Sequence, residues 1–400
     1  LSPLESAAAA EVETRDRESV LGTYARTSFH PRTGRGARLF DADGRPYWDL
    51  LGGIAVNALG ARNPRLVRAL ASGARGVWHV SNLFFHPAQG LLAERLVRAS
   101  GLSKAFFCNS GTEANEAALK LARLANPGRG EIVALEEGFH GRTLGALSVT
   151  GHDAYRAPFL PLVPGARFVP PNDVEALRGA VSEATSAILL EPVMGEAGVI
   201  PLSEAFLRAA RELADASGAV LIFDEIQCGL GRTGTLFAFE RSGVVPDAVT
   251  LAKALGGGLP LGAVVVGEKL AGVVKPGQHG TTFGGNPLAC GLGIALLDEI
   301  EEKHLLDRVA RTGRRFGVAL AALARRRPAI RDVRGAGLMW GIELDRPAAP
   351  VANRLLSRGF VVGTARERVI RLLPPYIVPM GALTAFVRAF EDVLSEEIPA

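Results

Sequence analysis

From about Lys104 onward the chain alternates short, continuous apolar runs with amphipathic stretches rich in alanine, leucine, glutamate and arginine. No other feature restricts the fold as much. The runs cover residues 106–108, 132–135, 187–190, 219–223, 248–252 and 262–266. A strand that is apolar on both faces has to be covered on both faces. Such strands separated by helices therefore imply an α/β protein, a mostly parallel sheet sandwiched between helices. In sheets of this kind ligands gather beyond the carboxyl ends of the strands, so the residues that follow each run become the candidates for chemistry.

Two of those ends carry ionisable groups. The run at 219–223 leads into Asp224-Glu225-Ile226-Gln227, and the run at 248–252 leads into Lys253, followed by Ala254-Leu255 and three glycines. The chain has only six lysines, which makes one flanked by apolar residues more unusual still. Taken singly, Lys253 also reads as a surface lysine and Asp224 as a helix cap. Taken together, an amine and a carboxylate at neighbouring strand ends suit pyridoxal phosphate. That cofactor needs an amine for its resting Schiff base and an acid to keep its pyridine nitrogen protonated.

A third strand end, at Cys108, runs into Asn109-Ser110-Gly111-Thr112-Glu113 and a strong helix former. A Ser-Gly-Thr turn opening a helix offers free N–H groups, a hydroxyl and the positive end of the helix dipole to a phosphate. Ser110 and Glu113 also read as an ordinary capping box. After the 132–135 run, Glu137-Gly138-Phe139-His140-Gly141-Arg142-Thr143 supplies an aromatic that could lie against a planar ring, although a loop Phe and His equally read as packing residues.

Four hundred residues exceed one ordinary domain. Residues 38–49 read as two short strands around an Asp-Gly turn, and residues beyond 305 as long helices plus strands near 333–344 and 369–373. The expected organisation is a large domain at 76–304 and a smaller α+β domain built from 1–75 and 305–400. The net charge of +4 comes from interspersed arginines and acids, not a basic block, which disfavours nucleic acid as a partner. Arg325-Arg326-Arg327 before Pro328 reads as a helix C-terminus that favours cations. Three scattered cysteines point to neither a disulfide framework nor a zinc site, so no metal is expected and a reducing cytoplasm fits. Glu5, Glu11, Glu13 and Asp16 argue against a signal peptide, and no run reaches the ~20 apolar residues of a membrane span.

The segments GIAVNALG from Gly53, VSNLF from Val80, FFCNSGTEANEAALK from Phe106, GFHGRT from Gly138, LIFDEIQCGLGRTG from Leu221, TLAKALGGGLPLG from Thr250 and HGTTFGGNPLA from His279 resemble, in this order, the class III aminotransferases of fold type I. Within them the similarity is strongest to the acetylornithine aminotransferases. The resemblance implies a seven-stranded sheet and pyridoxal phosphate, with Lys253 as the Schiff-base lysine and Asp224 as partner of the pyridine nitrogen. Gln227 would lie near the phenolic oxygen, Phe139 on the ring face, and Gly111 and Thr112 at the phosphate. Thr282 of a neighbouring subunit would complete the phosphate site, which implies a homodimer with shared sites. Met194 stands where the family usually has glutamine, and Ala61-Arg62-Asn63 replaces a common His-Cys-His, a change expected to alter only a surface turn.

The same resemblance implies two arginines for two substrates of unequal length. Arg142 would clamp the α-carboxylate of an ω-amino donor at the far end of the site, a match of planar guanidinium to carboxylate. Arg371 would bind the α-carboxylate of glutamate, with Glu196 as the switch that covers it when the ω-amine is bound; an ordinary structural ion pair explains that couple equally well. Tyr24 and Thr281 would join the donor site. Ile54 occupies the place of a tyrosine that would contact a free α-amine, which favours an acylated one. The expected activity moves the δ-amino group of N-acetyl-L-ornithine to 2-oxoglutarate, giving N-acetyl-L-glutamate 5-semialdehyde and L-glutamate in arginine biosynthesis. A carrier-linked aminoadipate semialdehyde, succinylornithine, N-succinyl-diaminopimelate, free ornithine and a glutamate-semialdehyde-type aminomutase remain as alternatives.

Overall fold

The computed structural model describes residues 9–396. Its centre is a seven-stranded sheet in the order Lys104–Cys108, Gly262–Val266, Ala248–Leu251, Val220–Asp224, Thr185–Leu190, Glu131–Leu135, Ala166–Val169. All strands run parallel except Gly262–Val266, which is antiparallel to both neighbours. Every side chain of Thr185–Leu190, Val220–Asp224, Ala248–Leu251 and Gly262–Val266 is buried. At about 1.5–3 kcal/mol for each fully buried Val, Leu or Ile, these strands form the energetic centre of the molecule.

Helix Gly111–Ala125 covers one face of the sheet, burying Ala114, Ala117, Ala118 and Ala122, whose small side chains let helix and sheet approach closely. Its start matches the capping reading: Ser110 accepts from the Glu113 N–H, while the Glu113 carboxylate accepts from the Asn109 N–H at 2.9 Å. Ser110 therefore caps the helix as read, while Glu113 reaches back one residue further than a capping box requires, to Asn109.

The two ends of the chain meet in smaller sheets. Thr33–Arg35, Arg38–Phe40 and Pro46–Asp49 form an antiparallel meander to which Phe360–Val361 adds in parallel. A second sheet orders Ile330–Ala336, Met339–Leu344, Val369–Leu372 and Gly363–Ala365. Its first two strands form a hairpin turning at Gly337, whose φ of +54° favours glycine. Helix Leu305–Arg326 packs against this sheet, burying Val309, Phe316, Leu320 and Leu323. At its end Arg326 donates to the Ala322 carbonyl, and Arg326 and Arg327 both pair with Glu391. Among the described residues no helix is long and apolar enough to cross a membrane.

The segment Ala61-Arg62-Asn63 differs from its expected place in a surface turn. Asn63 does not belong to a mere surface turn: it is buried, its Oδ1 caps helix Pro64–Gly73 through the Arg65 and Leu66 N–H groups, and its Nδ2 donates to Glu299. An asparagine before a proline at the first helical position is a strong helix start, and it anchors this helix to Pro287–Glu302.

Candidate active site

The carboxyl ends of the parallel strands open onto a cavity of about 470 Å³, a size suited to a cofactor with substrate. Gly111, Thr112, Phe139, Arg142, Glu196, Asp224, Gln227 and Lys253 all line it. The glycines are there for space. A Cβ on Gly111 would lie 2.7 Å from the Ile226 side chain, and one on Gly195 2.3 Å from Gln227 Oε1. Thr112 is held by a 2.9 Å contact to Thr143, which donates in turn to Glu116.

Asp224, only 3 % exposed, is clamped by three donors. Asn115 Nδ2 and His140 Nδ1 each reach its Oδ2 at 2.8 Å, and the Ile226 N–H reaches Oδ1 at 3.0 Å. Because a carboxylate only accepts, His140 carries its proton on Nδ1. Asn115 is itself fixed, donating to the His140 carbonyl and accepting from the Thr250 hydroxyl at 2.8 Å. Oδ1 accepts only from the Ile226 N–H, which leaves it a lone pair for a cationic N–H.

Lys253 stands two residues beyond the end of strand Ala248–Leu251, and its φ of +40° is strained for a residue with a side chain. Burial lowers the pKa of its amine, against the attraction of Asp224 and then Glu196, so more of it is free base near neutrality than for a surface lysine. Backbone strain and a desolvated amine at one residue are marks of a functional position.

Glu191 organises the loops on either side. One carboxylate oxygen accepts from the Phe139 N–H and the other from the Gly195 N–H, and burial pushes its pKa up to about 7. Next to it, Glu196 meets Arg371 at 2.5 Å. Burial works to raise the Glu196 carboxyl, but the Arg371 charge and hydrogen bond outweigh it and hold it below the usual carboxylate range. Arg371 arrives from strand Val369–Leu372 with its side chain only 4 % exposed and its Nε without a partner. Gln227 Nε2 lies 3.5 Å from Glu196, while its buried Oε1 has no partner.

The residues present fit the expected cofactor. An open helix N-terminus suits a phosphate, a clamped carboxylate suits a protonated pyridine, an unpartnered amide oxygen suits a ring hydroxyl, and a desolvated lysine suits the aldehyde. Four expected residues are not part of this lining: Arg371, which meets it only through Glu196, and Thr281, Thr282 and Tyr24. Thr281 and Thr282 line a neighbouring cavity with His79 and Asn82. Tyr24 is 78 % exposed in the N-terminal segment. Asn115, Thr250, Glu191 and the orienting role of His140 are not among the residues the sequence motifs single out. A polar Asn115 on an otherwise alanine-lined buried helix face was the signal that could have found the first of them.

Residues 23–394 match the family model described as aminotransferase class-III. The acetylornithine aminotransferase of Methanocaldococcus jannaschii is 46% identical over 369 residues, 91% of this chain and 92% of that protein. Among solved structures, the ornithine aminotransferase of Toxoplasma gondii superposes with a TM-score of 0.93 at 31% identity, covering 98% of this chain and 96% of its own. The acetylornithine aminotransferase of Elizabethkingia anophelis gives 0.88 at 31%, covering 96% and 98%.

Proposed function

The chain belongs to the class-III aminotransferases, and on that premise we propose that it moves the δ-amino group of N-acetyl-L-ornithine to 2-oxoglutarate, giving N-acetyl-L-glutamate 5-semialdehyde and L-glutamate. Pyridoxal phosphate is its cofactor, and when bound it supplies an electron sink for the bond-breaking at the carbon that bears the amine. Lys253, as the free base that its burial favours, takes the proton from that carbon and returns it on the other side of the exchange. Asp224 holds the pyridine nitrogen charged. Phe139 covers the ring, Gln227 meets its hydroxyl, and Gly111 and Thr112 hold the phosphate.

The observation that carries the two-substrate reading is a pair of arginines of unlike surroundings: Arg142 lines the cavity uncovered, while Arg371 lies behind the lining residue Glu196, whose carboxylate covers it. Arg142 is free to take the carboxylate of the longer donor. Arg371 takes that of glutamate once Glu196 moves aside. With Glu196 absent, the buried guanidinium stays bare while the ω-amine is bound, a costly state. Glu196→Ala is expected to slow the ω-amine half-reaction by roughly tenfold or more, the worth of a charged hydrogen bond, and to leave the glutamate half-reaction near wild type. Single-turnover rates of the two halves check this; equal losses would reduce the pair to a structural one.

The acyl group rests on Ile54, an apolar residue two positions before the cavity-lining Val56 that offers a free α-amine nothing to bond with. Relatives named for the acetylated substrate support the same choice. A panel of ω-amine donors with 2-oxoglutarate, read out as glutamate formed, tests it. N-acetylornithine should lead, and a preference for free ornithine would overturn the assignment.

We also infer a homodimer in which Thr282 and Thr281 serve the partner's site. Trp78, Leu83, Phe84 and Phe283 are each more than 60 % exposed, beside the cavity those threonines line. A cluster of this kind is expected to be covered by a second copy. The solution mass should be twice 42.1 kDa, and a monomer carrying full activity would refute shared sites.

A further inference from the structure

Arg142 has the least support of the residues around the cavity. It is exposed, and among the described residues it makes no hydrogen bond or ion pair. A long side chain of that kind loses much rotamer freedom when it is fixed on a ligand. What holds it is aromatic. Its guanidinium carbon lies 3.8 Å from the centre of the Tyr155 ring and 5.5 Å from that of Phe139, and the two rings meet edge to face. Stacking occupies the face of the guanidinium and leaves its N–H edge free for a two-pronged contact with a carboxylate.

Tyr155 does not line the cavity, so its influence on a substrate passes through Arg142 and Phe139. It is held from behind. His152 packs against its ring at 4.4 Å between centroids, and pairs at 2.5 Å with Glu137, whose other carboxylate oxygen meets Arg366 at 3.2 Å. Glu137 has a φ of +61°, so the chain accepts backbone strain at the point where this support is anchored. Arg366 comes from the C-terminal part of the chain, tying the stack to the lobe that also carries Arg371.

We propose that Tyr155 is a positioning residue that pre-orders Arg142 at the far end of the cavity, and thereby sets the preference for donors with a carboxylate there. The inference rests on the reading of Arg142 as the donor's carboxylate clamp. The flat ring does the ordering, and its hydroxyl makes no hydrogen bond among the described residues, so phenylalanine should serve as well as tyrosine.

The test compares Tyr155→Leu, Tyr155→Phe and Arg142→Ala in the dimeric holoenzyme. Tyr155→Leu is expected to raise the KM for N-acetylornithine about five- to tenfold with kcat little changed, the range of a stacked cation lost at a partly exposed site. The KM for glutamate should stay within about twofold, and so should both constants in Tyr155→Phe. The wild-type preference for N-acetylornithine over its decarboxylated analogue should shrink by the same factor. Equal rises for donor and glutamate, no rise for either, or Tyr155→Phe behaving like Tyr155→Leu would overturn the proposal. Arg142→Ala separates the two readings. If it raises the donor KM while Tyr155→Leu does not, the positioning role alone fails; if it leaves the donor KM unchanged, the clamp fails and takes this inference with it.

Discussion

Lys253→Ala is expected to abolish transamination, with kcat lower by at least about 10⁴-fold, because one side chain both anchors the cofactor and moves the proton. Loss of the base alone accounts for most of a range of about 10²–10⁴, and loss of the covalent anchor adds to it. The purified variant should lack the visible absorbance of a lysine-bound cofactor. Lys253→Arg should fare no better although it keeps the charge: guanidinium stays protonated at any working pH, whereas burial lowers the lysine pKa and supplies free base. A small primary amine added to the alanine variant should restore part of the proton transfer, since the cavity left behind is open to the solvent side. Turnover within a hundredfold of wild type in the alanine variant would mean that another group is the base.

How that lysine came to be legible in the sequence is a matter of burial. A strand covered on both faces is apolar along its length, so residues 219–223 and 248–252 stand out as runs without a charge, and the first ionisable residue after each, Asp224 and Lys253, is conspicuous. Apolar content does not record direction, yet the reversal of Gly262–Val266 was readable from another quantity. Residues 252–261 are too few for a parallel crossover, which takes about a dozen or more. The pairing of Glu196 with Arg371 came from resemblance alone, because 175 residues separate them and only the folded chain brings them together. The Asp224 network was hidden for the same reason. His140 and Asn115 approach Asp224 from 84 and 109 positions away, and no spacing rule connects them.

That network makes Asp224→Asn the second large effect. Three donors converge on the carboxylate, from Asn115, His140 and Ile226. An asparagine offers one oxygen and one NH₂, so in either amide orientation the NH₂ faces at least one of them, a cost of about 1–3 kcal/mol in stability. The larger loss is electrostatic. A neutral amide does not favour the protonated pyridine, and kcat should fall by roughly 10²–10³ or more, the range for removing one pre-placed electrostatic partner of the transition state. Lys253 is untouched, so the visible absorbance of the bound cofactor should persist while turnover is lost, whereas the lysine variants are expected to lose both. Asn115→Ala provides the scale. It removes one donor from Asp224 and leaves the Thr250 hydroxyl without its acceptor, but the charge remains, so a loss of about tenfold is expected. An Asp224→Asn enzyme within tenfold of wild type, or one less impaired than Asn115→Ala, would show that the carboxylate's charge is not what the ring requires.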